Sequence, residues 1–226
     1  MPTVLLVRHA QASFGSDHYD VLSPRGLEQV AALAGELRRR RTRIARVVSG
    51  TLVRQRDTAA GVADGTGVPV EVDARWDEYR ADDILAHHSA TGVRLEPSPG
   101  AAVPSPAEFQ AGLDDALLAW AGVAAADDPA TESWPAFGAR VGAALTDVAA
   151  SLGRGETAVV CTSGGALAAA CTRLLGGGPS LFVALNRVAV NAGITKVISG
   201  ARGTRLLAFN DHAHLEGQAD GFVTFR

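Results

Sequence analysis

Apolar runs of strand length alternate with amphipathic helical segments along most of this chain. The first run, residues 3–7, is continuously apolar and ends abruptly at polar residues. Such a run is typical of a strand buried on both faces in a parallel sheet. Strands that alternate with helices through short connections pair in parallel and carry helices on both faces. We therefore predict an α/β fold, a three-layer α/β/α sandwich with a mostly parallel central sheet.

The remaining segments continue this alternation. Ser23 and Pro24 suit the N-cap and the first position of a helix, and apolar residues keep helical spacing from 27 to 37. We predict further strands at 44–49, 68–72 and 157–161, and further helices at 52–63, 134–152 and 165–175. Residues 194–199 and 205–209 are predicted to form an antiparallel hairpin.

Residues 81–132 interrupt the pattern. A proline-rich stretch at 96–106 precedes a predicted helix at 106–123, and the segment carries nine acidic residues against one basic residue, Arg94. We predict a single domain, residues 1–226, with an acidic helical insertion at about 81–132 that forms a lid. A lid of this charge would disfavour very anionic substrates.

Composition and charge exclude several classes of function. The 226 residues contain 21 basic and 24 acidic side chains, so no global positive field attracts nucleic acid or an anionic membrane. The first apolar run is too short for a signal peptide or a membrane span. Cys161 and Cys171 lack the clustering of metal ligands or of a disulfide framework. We expect a cytoplasmic protein with buried free thiols, no metal and no cofactor; its oligomeric state stays open.

Polar residues follow three of the predicted strands. Arg8 and His9 follow the first strand, residues 49–54 the second, and residues 162–165 the strand at 157–161. Since ligands bind at the carboxyl ends of strands in open α/β sheets, we expect these residues to line one pocket. Arginine offers a fork of N–H donors, and a helix N-terminus offers amide groups and a positive dipole. The combination predicts a site for a tetrahedral dianion such as phosphate, with a histidine able to attack phosphorus.

These strand ends resemble the histidine phosphatase superfamily, also called the phosphoglycerate mutase-like family. Residues 5–10 (LLVRHA) match its opening strand and Arg-His-Gly signature, and residues 19–29 (YDVLSPRGLEQ) match the start of its first helix. Four shorter segments are also similar: 49–59, 75–78, 159–165 and 210–215. The resemblance covers most of residues 1–80 and 155–215 and leaves the insertion unmatched.

The resemblance implies a metal-independent phosphomonoester hydrolase that acts on a phosphorylated small molecule. His9 would attack phosphorus to form a phosphohistidine, which water then hydrolyses. Arg8 and Arg54 would bind the phosphoryl oxygens, and Glu78 would protonate the leaving oxygen and later activate water. The neighbouring carboxylates that could replace Glu78 in this role are Asp77, Asp82 and Asp83.

Two positions depart from the family's pattern. Ala10 stands where glycine is usual, and Ser163 stands where the family has a second pocket histidine. The Ser163 hydroxyl and the Gly164 amide would then bind phosphate. Because losing one preorganised donor costs about 3 kcal/mol, or on the order of 10²- to 10³-fold in rate, we expect a slow phosphatase. The residues that could supply the missing charge are His18 and Arg80.

Other functions stay open at this point. A non-catalytic, phosphate-binding pseudo-phosphatase would keep the arginines without turnover. A phosphoglycerate mutase would need a site for a second anion, which the acidic insertion disfavours. A serine hydrolase would use Ser163 with Asp211 and His214, but Cys161 stands where its motif needs glycine. We assign His214 a structural role and expect His87 and His88 to be exposed on the lid.

Overall fold

A computed structural model describes residues 1–13, 20–90, 105–218 and 221–225 of the chain. The strands are β1 (Thr3–Arg8), β2 (Ile44–Ser49), β3 (Val70–Val72), β4 (Thr157–Thr162), β5 (Ile194–Gly200) and β6 (Gly203–Asp211). The helices are α1 (Pro24–Arg39), α2 (Val53–Ala63), α3 (Ala81–His88), α4 (Pro106–Gly122), α5 (Trp134–Ala150), α6 (Gly164–Leu175), α7 (Pro179–Val188) and α8 (Ala213–Glu216). A 3₁₀ turn, Ala74–Trp76, precedes α3.

The strands form a sheet in the order β3-β2-β4-β1-β5-β6. Strands β3, β2, β4 and β1 run parallel, and β5 and β6 add an antiparallel edge. Arg8 pairs with Thr162, and Ser49 pairs with Cys161, so β1, β2 and β4 end at the same edge of the sheet. The predicted mostly parallel sheet is confirmed, and the polar residues that follow these three strands lie side by side.

Each face of the sheet carries its own apolar core. In β1, Val4 and Leu6 contribute to one core, while Leu5 and Val7 contribute to the other. This division follows from the two-residue repeat of a strand, which points successive side chains to opposite faces. Helices α3 to α7 pack on the first core, and α1, α2 and α8 pack on the second. The three-layer sandwich predicted from the sequence is therefore confirmed.

The beginning of α1 shows how local sequence defines these elements. The Ser23 side chain accepts a hydrogen bond from the Gly26 amide at 3.0 Å, which satisfies one of the unpaired donors of the first turn. Pro24 takes the first helical position, where its missing N–H costs nothing. Leu33 and Leu37 then lie on the buried face. The predicted start of this helix is correct.

An aromatic cluster holds the acidic segment against the sandwich. The Tyr79 ring lies 6.1 Å from Trp120 of α4, 6.0 Å from Phe137 of α5 and 6.3 Å from Phe182 of α7, measured between ring centroids. These three partners are fully buried. The predicted helix at 106–123 is present as α4, whereas most of the proline-rich stretch falls on residues 91–104, outside the described part of the chain. A lid role for this segment stays a prediction.

Two local features differ from what the sequence suggests. Helix α7 was not predicted, because the glycines at 176–178 and Pro179 mask its beginning as a loop. The expectation that both lid histidines are exposed is wrong for His88, whose side chain is 5% exposed and whose Nε2 lies 3.0 Å from Asp128 Oδ1. His88 is four residues after the buried Ile84, so both lie on the inner face of α3.

Candidate active site

A cleft of about 570 Å³ opens at the carboxyl edge of the sheet. Its lining comes from the end of β1, the start of α2, the segment around residue 78, helices α4 and α7, and the segment near residue 225. The lining side chains with charge or a hydrogen-bonding group are Arg8, His9, Arg54, Asp77, Glu78, Tyr79, Arg80, Asp82, Gln110, Asn186 and Arg187. Four of the six predicted site residues are therefore brought together: Arg8, His9, Arg54 and Glu78.

The hydrogen bonds of His9 define which ring nitrogen carries the proton. Nδ1 lies 2.8 Å from the Ala10 carbonyl oxygen, which can only accept, so Nδ1 donates. Nε2 lies 3.1 Å from Arg54 Nε, which can only donate, so Nε2 accepts. The imidazole is thus neutral, with its lone pair on the nitrogen that faces Arg54. This is the tautomer that a nucleophilic histidine requires.

The backbone around His9 is fixed by neighbouring side chains. Asn191 donates to the His9 carbonyl oxygen at 3.0 Å, and the Ala10 amide donates to Thr58 Oγ1 at 3.1 Å. The Thr58 hydroxyl in turn donates to the Arg54 carbonyl oxygen at 2.7 Å. His9 and Arg54 therefore belong to one buried hydrogen-bonded frame, which limits the movement of each relative to the other.

Arg54 lies in the first turn of α2 and is held by an acidic residue from the loop before α1. Its Nη1 lies 2.6 Å from Asp20 Oδ1, and the other oxygen of Asp20 accepts from the Val53 amide at 2.8 Å. A carboxylate at the N-terminus of a helix is stabilised by the helix dipole as well as by this hydrogen bond. Asp20 belongs to the segment 19–29 used for the resemblance, but no sequence pattern showed that it pairs with Arg54.

Arg8 is oriented by two backbone carbonyl groups, one just after α7 and one near residue 225. Its Nη1 donates to the Ala189 carbonyl oxygen and, at 2.6 Å, to the Phe225 carbonyl oxygen. The Phe225 side chain is half-exposed and lines the cleft. Sequence reasoning missed this contact, because it joins residues 217 positions apart.

Glu78 occupies a partly buried position between the 3₁₀ turn and α3, next to the start of α6. Its Oε2 accepts from the Gly165 amide at 3.0 Å, and its Oε1 accepts from the Tyr79 amide at 3.2 Å. A Cβ atom at position 165 would overlap Glu78 Oε1, so glycine is needed there for the carboxyl group to reach the helix N-terminus.

Burial shifts the pKa values of His9 and Glu78 in opposite directions. Burial lowers the pKa of His9 well below its usual range, and the positive charges of Arg54 and Arg8 lower it further. Burial raises the pKa of Glu78, although the Gly165 amide and the same two arginines oppose this shift. Both shifts are toward the neutral form, an unprotonated imidazole for His9 and a protonated carboxyl for Glu78. A nucleophile and a general acid need these forms.

The alternative carboxylates have different environments. Asp77 accepts from the Thr51 amide and hydroxyl, both at 2.6 Å, which gives it a structural task at the start of α2. Asp83 accepts from the Thr131 amide at 2.7 Å and does not line the cleft. Asp82 does line the cleft, but its exposed side chain faces Arg80 at 3.7 Å. Glu78 remains the candidate, because it lines the cleft and its pKa is raised by burial.

Ser163 and Gly164, the other two predicted site residues, are buried and lie outside the residues that line the cleft. The Ser163 hydroxyl oxygen accepts from Gln55 Nε2 at 2.8 Å. A Cβ at Gly164 would lie 2.9 Å from Asn186 Oδ1 and 3.5 Å from Arg8 Nε, so Gly164 lies behind these two lining side chains. Direct phosphate contacts by Ser163 and Gly164 stay predictions.

Two further candidates for positive charge were named from the sequence. Arg80 lines the mouth of the cleft, whereas His18 lies outside the described residues. The cleft also contains Asn186 and Arg187 of α7, which sequence reasoning missed because α7 itself was not predicted. Asn186 donates to the Tyr79 hydroxyl at 3.2 Å, and Arg187 lies 3.3 Å from Asp114.

The serine hydrolase alternative finds no support in this arrangement. The described partner of the Ser163 hydroxyl is an amide rather than an imidazole. Asp211 lies 2.7 Å from Arg40 at the end of α1. His214 lies on α8, on the other face of the sheet from α6, and burial lowers its pKa. A structural role for His214 agrees with this placement.

The α/β sandwich carries, at the carboxyl edge of its sheet, a cleft lined by a neutral histidine and two arginines. A family model described as the histidine phosphatase superfamily (branch 1) matches residues 4–212. The chain belongs to this superfamily. No curated protein sequence matches it.

Solved structures share the fold, two phosphatases among them. Mycobacterial glucosyl-3-phosphoglycerate phosphatase is 25% identical, with a TM-score of 0.65 over 93% of this chain and 99% of that one. A phosphoserine phosphatase mutant from Entamoeba histolytica in complex with phosphoserine is 17% identical, with a TM-score of 0.65 over 95% and 100% of the two chains. A Bacillus stearothermophilus protein is 16% identical, with a TM-score of 0.66 over 95% and 99%.

No group of three or more His, Cys, Asp or Glu side chains in residues 1–13, 20–90, 105–218 and 221–225 is arranged to hold a metal ion. Over the same ranges, every helix is too short or too polar to cross a bilayer.

Proposed function

We propose that the chain is a phosphomonoester hydrolase that acts through a phosphohistidine intermediate on His9. The observation that supports this most directly is the pair of hydrogen bonds to the His9 ring. Its Nδ1 donates to the Ala10 carbonyl oxygen, and its Nε2 is unprotonated next to Arg54, a cation suited to a phosphoryl group. Members of the same superfamily include phosphatases of known structure.

In the first step, the Nε2 lone pair of His9 forms a bond to phosphorus as the bond from phosphorus to the ester oxygen breaks. Glu78 gives its proton to that oxygen, so the product leaves as a neutral alcohol. Arg8 and Arg54 neutralise charge on the equatorial phosphoryl oxygens as the group transfers. Substrate has to displace the hydrogen bond between Arg54 and His9 before the attack, since both use the same lone pair.

In the second step, water attacks phosphorus and the bond to Nε2 breaks. The Glu78 carboxylate takes a proton from that water, which restores its neutral form. Inorganic phosphate leaves, and His9 regains its neutral tautomer. The cycle needs no metal, and it is expected to be slow because Ser163 replaces a cationic donor, on the order of 10²- to 10³-fold.

The rim of the cleft favours a small substrate with one phosphate and a weakly charged leaving group. Arg80 and Arg187 lie at the rim, but each faces an aspartate, Asp82 and Asp114 respectively. Their charge is therefore partly compensated, which weakens a site for a second anion and disfavours a mutase. The similar structures named for phosphoserine and glucosyl-3-phosphoglycerate make these two compounds reasonable members of a substrate panel.

We also propose that nucleic acids and membranes are not partners, since the net charge is −3. A cytoplasmic location is supported by two free cysteines, both buried, which suit a reducing compartment. Burial raises the pKa of each thiol to about 12, so neither is a reactive thiolate.

A panel of phosphomonoesters, assayed in the presence of a chelator, tests this function. The wild-type protein should release phosphate, and His9→Ala should not. His87→Ala is a matched control, because its imidazole is exposed on α3, away from the cleft lining.

The second candidate is a pseudo-phosphatase, favoured by the hydrogen bond that occupies His9 Nε2 and by Ser163. It predicts thermal stabilisation by inorganic phosphate without turnover of any phosphomonoester. Phosphate stabilisation together with an inactive wild-type protein would replace our proposal by this one.

A further inference from the structure

Gln55 forms a buried hydrogen-bonded frame around Ser163. Its Nε2 donates to Ser163 Oγ at 2.8 Å and to the Trp76 carbonyl oxygen at 3.2 Å, while its Oε1 accepts from the Leu52 amide at 3.3 Å. Gln55 and Ser163 are both fully buried. None of the motifs compared in the sequence gave Gln55 a role.

The two backbone partners fix the orientation of the Gln55 amide. A carbonyl oxygen can only accept, so the group near Trp76 must be the NH₂ end. A backbone N–H can only donate, so the group near Leu52 must be the oxygen end. The usual ambiguity between the two ends of a glutamine amide is thereby removed. Gln55 can then only donate to Ser163, and Ser163 Oγ must accept.

The absence of a side chain at Gly50 leaves room for the Gln55 amide. A Cβ atom at Gly50 would overlap Gln55 Oε1 and would lie 2.6 Å from Asp77 Oδ1. Ser163 is the N-cap residue of α6, where a serine side chain usually accepts a hydrogen bond from the first turn. Its side chain forms no such capping bond. The hydroxyl is therefore available to a partner other than α6.

A serine hydroxyl carries one proton. When its oxygen accepts a hydrogen bond, this proton has to point away from the donor of that bond. Within the described residues, the Ser163 hydroxyl has a hydrogen bond only with Gln55. Ser163 follows Thr162 directly, and Thr162 pairs with Arg8 and accepts from the His9 amide at 2.7 Å. Ser163 therefore follows the strand next to that of the nucleophile, where it is buried behind the residues that line the cleft.

We propose that Gln55 is a positioning residue that directs the Ser163 hydroxyl proton to the phosphoryl group bound at His9. This inference rests on the proposed function. Ser163 then donates one neutral hydrogen bond to the phosphoryl group. Because the Ser163 oxygen accepts from Gln55, the hydroxyl proton cannot point toward Gln55. Gln55 itself touches neither substrate nor His9.

A double-mutant cycle tests the proposal, with para-nitrophenyl phosphate as the probe and the full chain as the enzyme. We expect Ser163→Ala to lower kcat on the order of 10²-fold with little change in KM. Gln55→Met keeps the length of the side chain but removes its donor, and should lower kcat about tenfold or more when Ser163 is present. In the Ser163→Ala background, Gln55→Met should leave kcat unchanged, because the hydroxyl that it orients is gone.

A pH profile separates positioning from simple packing. Gln55→Glu keeps the shape of the side chain, but its ionised carboxylate would accept the Ser163 proton and turn it away from the phosphoryl group. Burial should raise the pKa of that carboxyl group. We expect the variant to lose kcat at high pH and to regain part of it at low pH, where the carboxyl is protonated and can donate.

Three results would overturn the inference. Ser163→Ala with a kcat within about twofold of the wild type is one, and an equal effect of Gln55→Met in both backgrounds is the second. The third is a Gln55→Glu variant whose pH profile matches that of the wild type. An inactive wild-type protein would instead overturn the proposed function, and this inference with it. Melting temperatures of all variants identify any that fail to fold, and Ser163→Ala leaves the bonds from Gln55 to Trp76 and Leu52 in place.

Discussion

At the scale of single residues, the pocket contains two groups whose environments favour opposite chemical tasks. His9 is buried beside two arginines, which shifts its imidazole toward the unprotonated form, while burial shifts the Glu78 carboxyl toward the protonated form. Pairs of titratable groups with pKa values shifted in this way mark acid and base assignments. Neither shift follows from residue type alone, because burial is the largest cause of both.

The pH dependence of kcat tests these two assignments. Because the pKa of Glu78 is raised and its protonated form is the active one, kcat should fall as the pH rises through that pKa. Because the pKa of His9 is lowered, loss of activity by protonation should begin only below the usual range for histidine. Glu78→Gln should remove the alkaline decline and lower kcat for an alkyl phosphomonoester roughly 10²- to 10⁴-fold.

Asp82→Asn is the matched control for that experiment, since Asp82 is an exposed carboxylate in the same cleft. It should leave the alkaline decline in place. An unchanged decline in Glu78→Gln would show that Glu78 is not the acid.

Ser163→His, which the resemblance suggests as a restoring mutation, should fail as a single change. Gln55 Nε2 lies 2.8 Å from Ser163 Oγ, and the site is fully buried, so an imidazole would overlap the amide. We expect a loss of about 1–3 kcal/mol in the free energy of unfolding, as for other overpacked sites. Gln55→Ala combined with Ser163→His should recover part of this loss in a urea titration. Equal stability of Ser163→His and wild type would contradict the packing around Gln55.

At the scale of elements, the site depends on how α6 begins. Strand β4 ends at Thr162, and within three residues the chain has entered a helix whose Gly165 amide holds the Glu78 carboxyl. The approach is close because Gly165 has no side chain. Sequence patterns predicted the strand, the turn and the helix, but they contain nothing about the close packing of residue 78 on residue 165.

Gly165→Ala adds only one methyl group, but it should reduce activity strongly. The added methyl group would overlap Glu78 Oε1 and the Tyr79 ring, which forces the carboxyl out of position. We expect kcat to fall at least tenfold and the free energy of unfolding to fall by about 1–3 kcal/mol. Gly138→Ala in α5 is the control, since nothing lies within 4 Å of its added atom. In that control, the free energy of unfolding should rise by up to about 1 kcal/mol because alanine has a higher helix propensity than glycine, and kcat should not change. Equal kcat values for both variants would argue against the contact.

At the scale of the whole molecule, the end of the chain helps to build the site at its beginning. Gln29 of α1 is fully buried, accepts from the Gln11 amide at 2.8 Å and donates to the Phe222 carbonyl oxygen at 2.8 Å and to Thr224 at 2.9 Å. The same segment places the Phe225 carbonyl oxygen on Arg8. Residues 221–225 are thus hydrogen-bonded both to the first helix and to Arg8, the arginine that we propose binds phosphate.

Gln29→Ala should release this segment and loosen Arg8. Several buried partners would lose their hydrogen bonds, so we expect the free energy of unfolding to fall by about 1–3 kcal/mol. The KM for a phosphomonoester should rise several-fold, because Arg8 loses one of its orienting carbonyl groups. Gln218→Ala is the control, since Gln218 is exposed on the surface. A lower melting temperature with an unchanged KM would show that the segment stabilises the fold without supporting Arg8.

The division between what sequence predicts and what it misses follows the range of the interactions. The sandwich was predictable, because strand and helix periodicity are local, and so were Arg8, His9, Arg54 and Glu78 as candidates. The carbonyl of Phe225 on Arg8 and the amide of Gln55 on Ser163 join residues 217 and 108 positions apart. Periodicity carries no information about such pairs. Helix α7 was missed for a local reason, since glycines and a proline precede it.

The most direct test of the phosphohistidine mechanism is a rapid-quench reaction of the protein with a phosphomonoester, followed by mass spectrometry of its peptides. We predict an acid-labile phosphoryl group on His9 that forms within the first turnover, is absent from His9→Ala and is retained in His87→Ala. A His9→Ala variant that still hydrolyses the substrate, or a phosphoryl group on any other residue, would contradict the account.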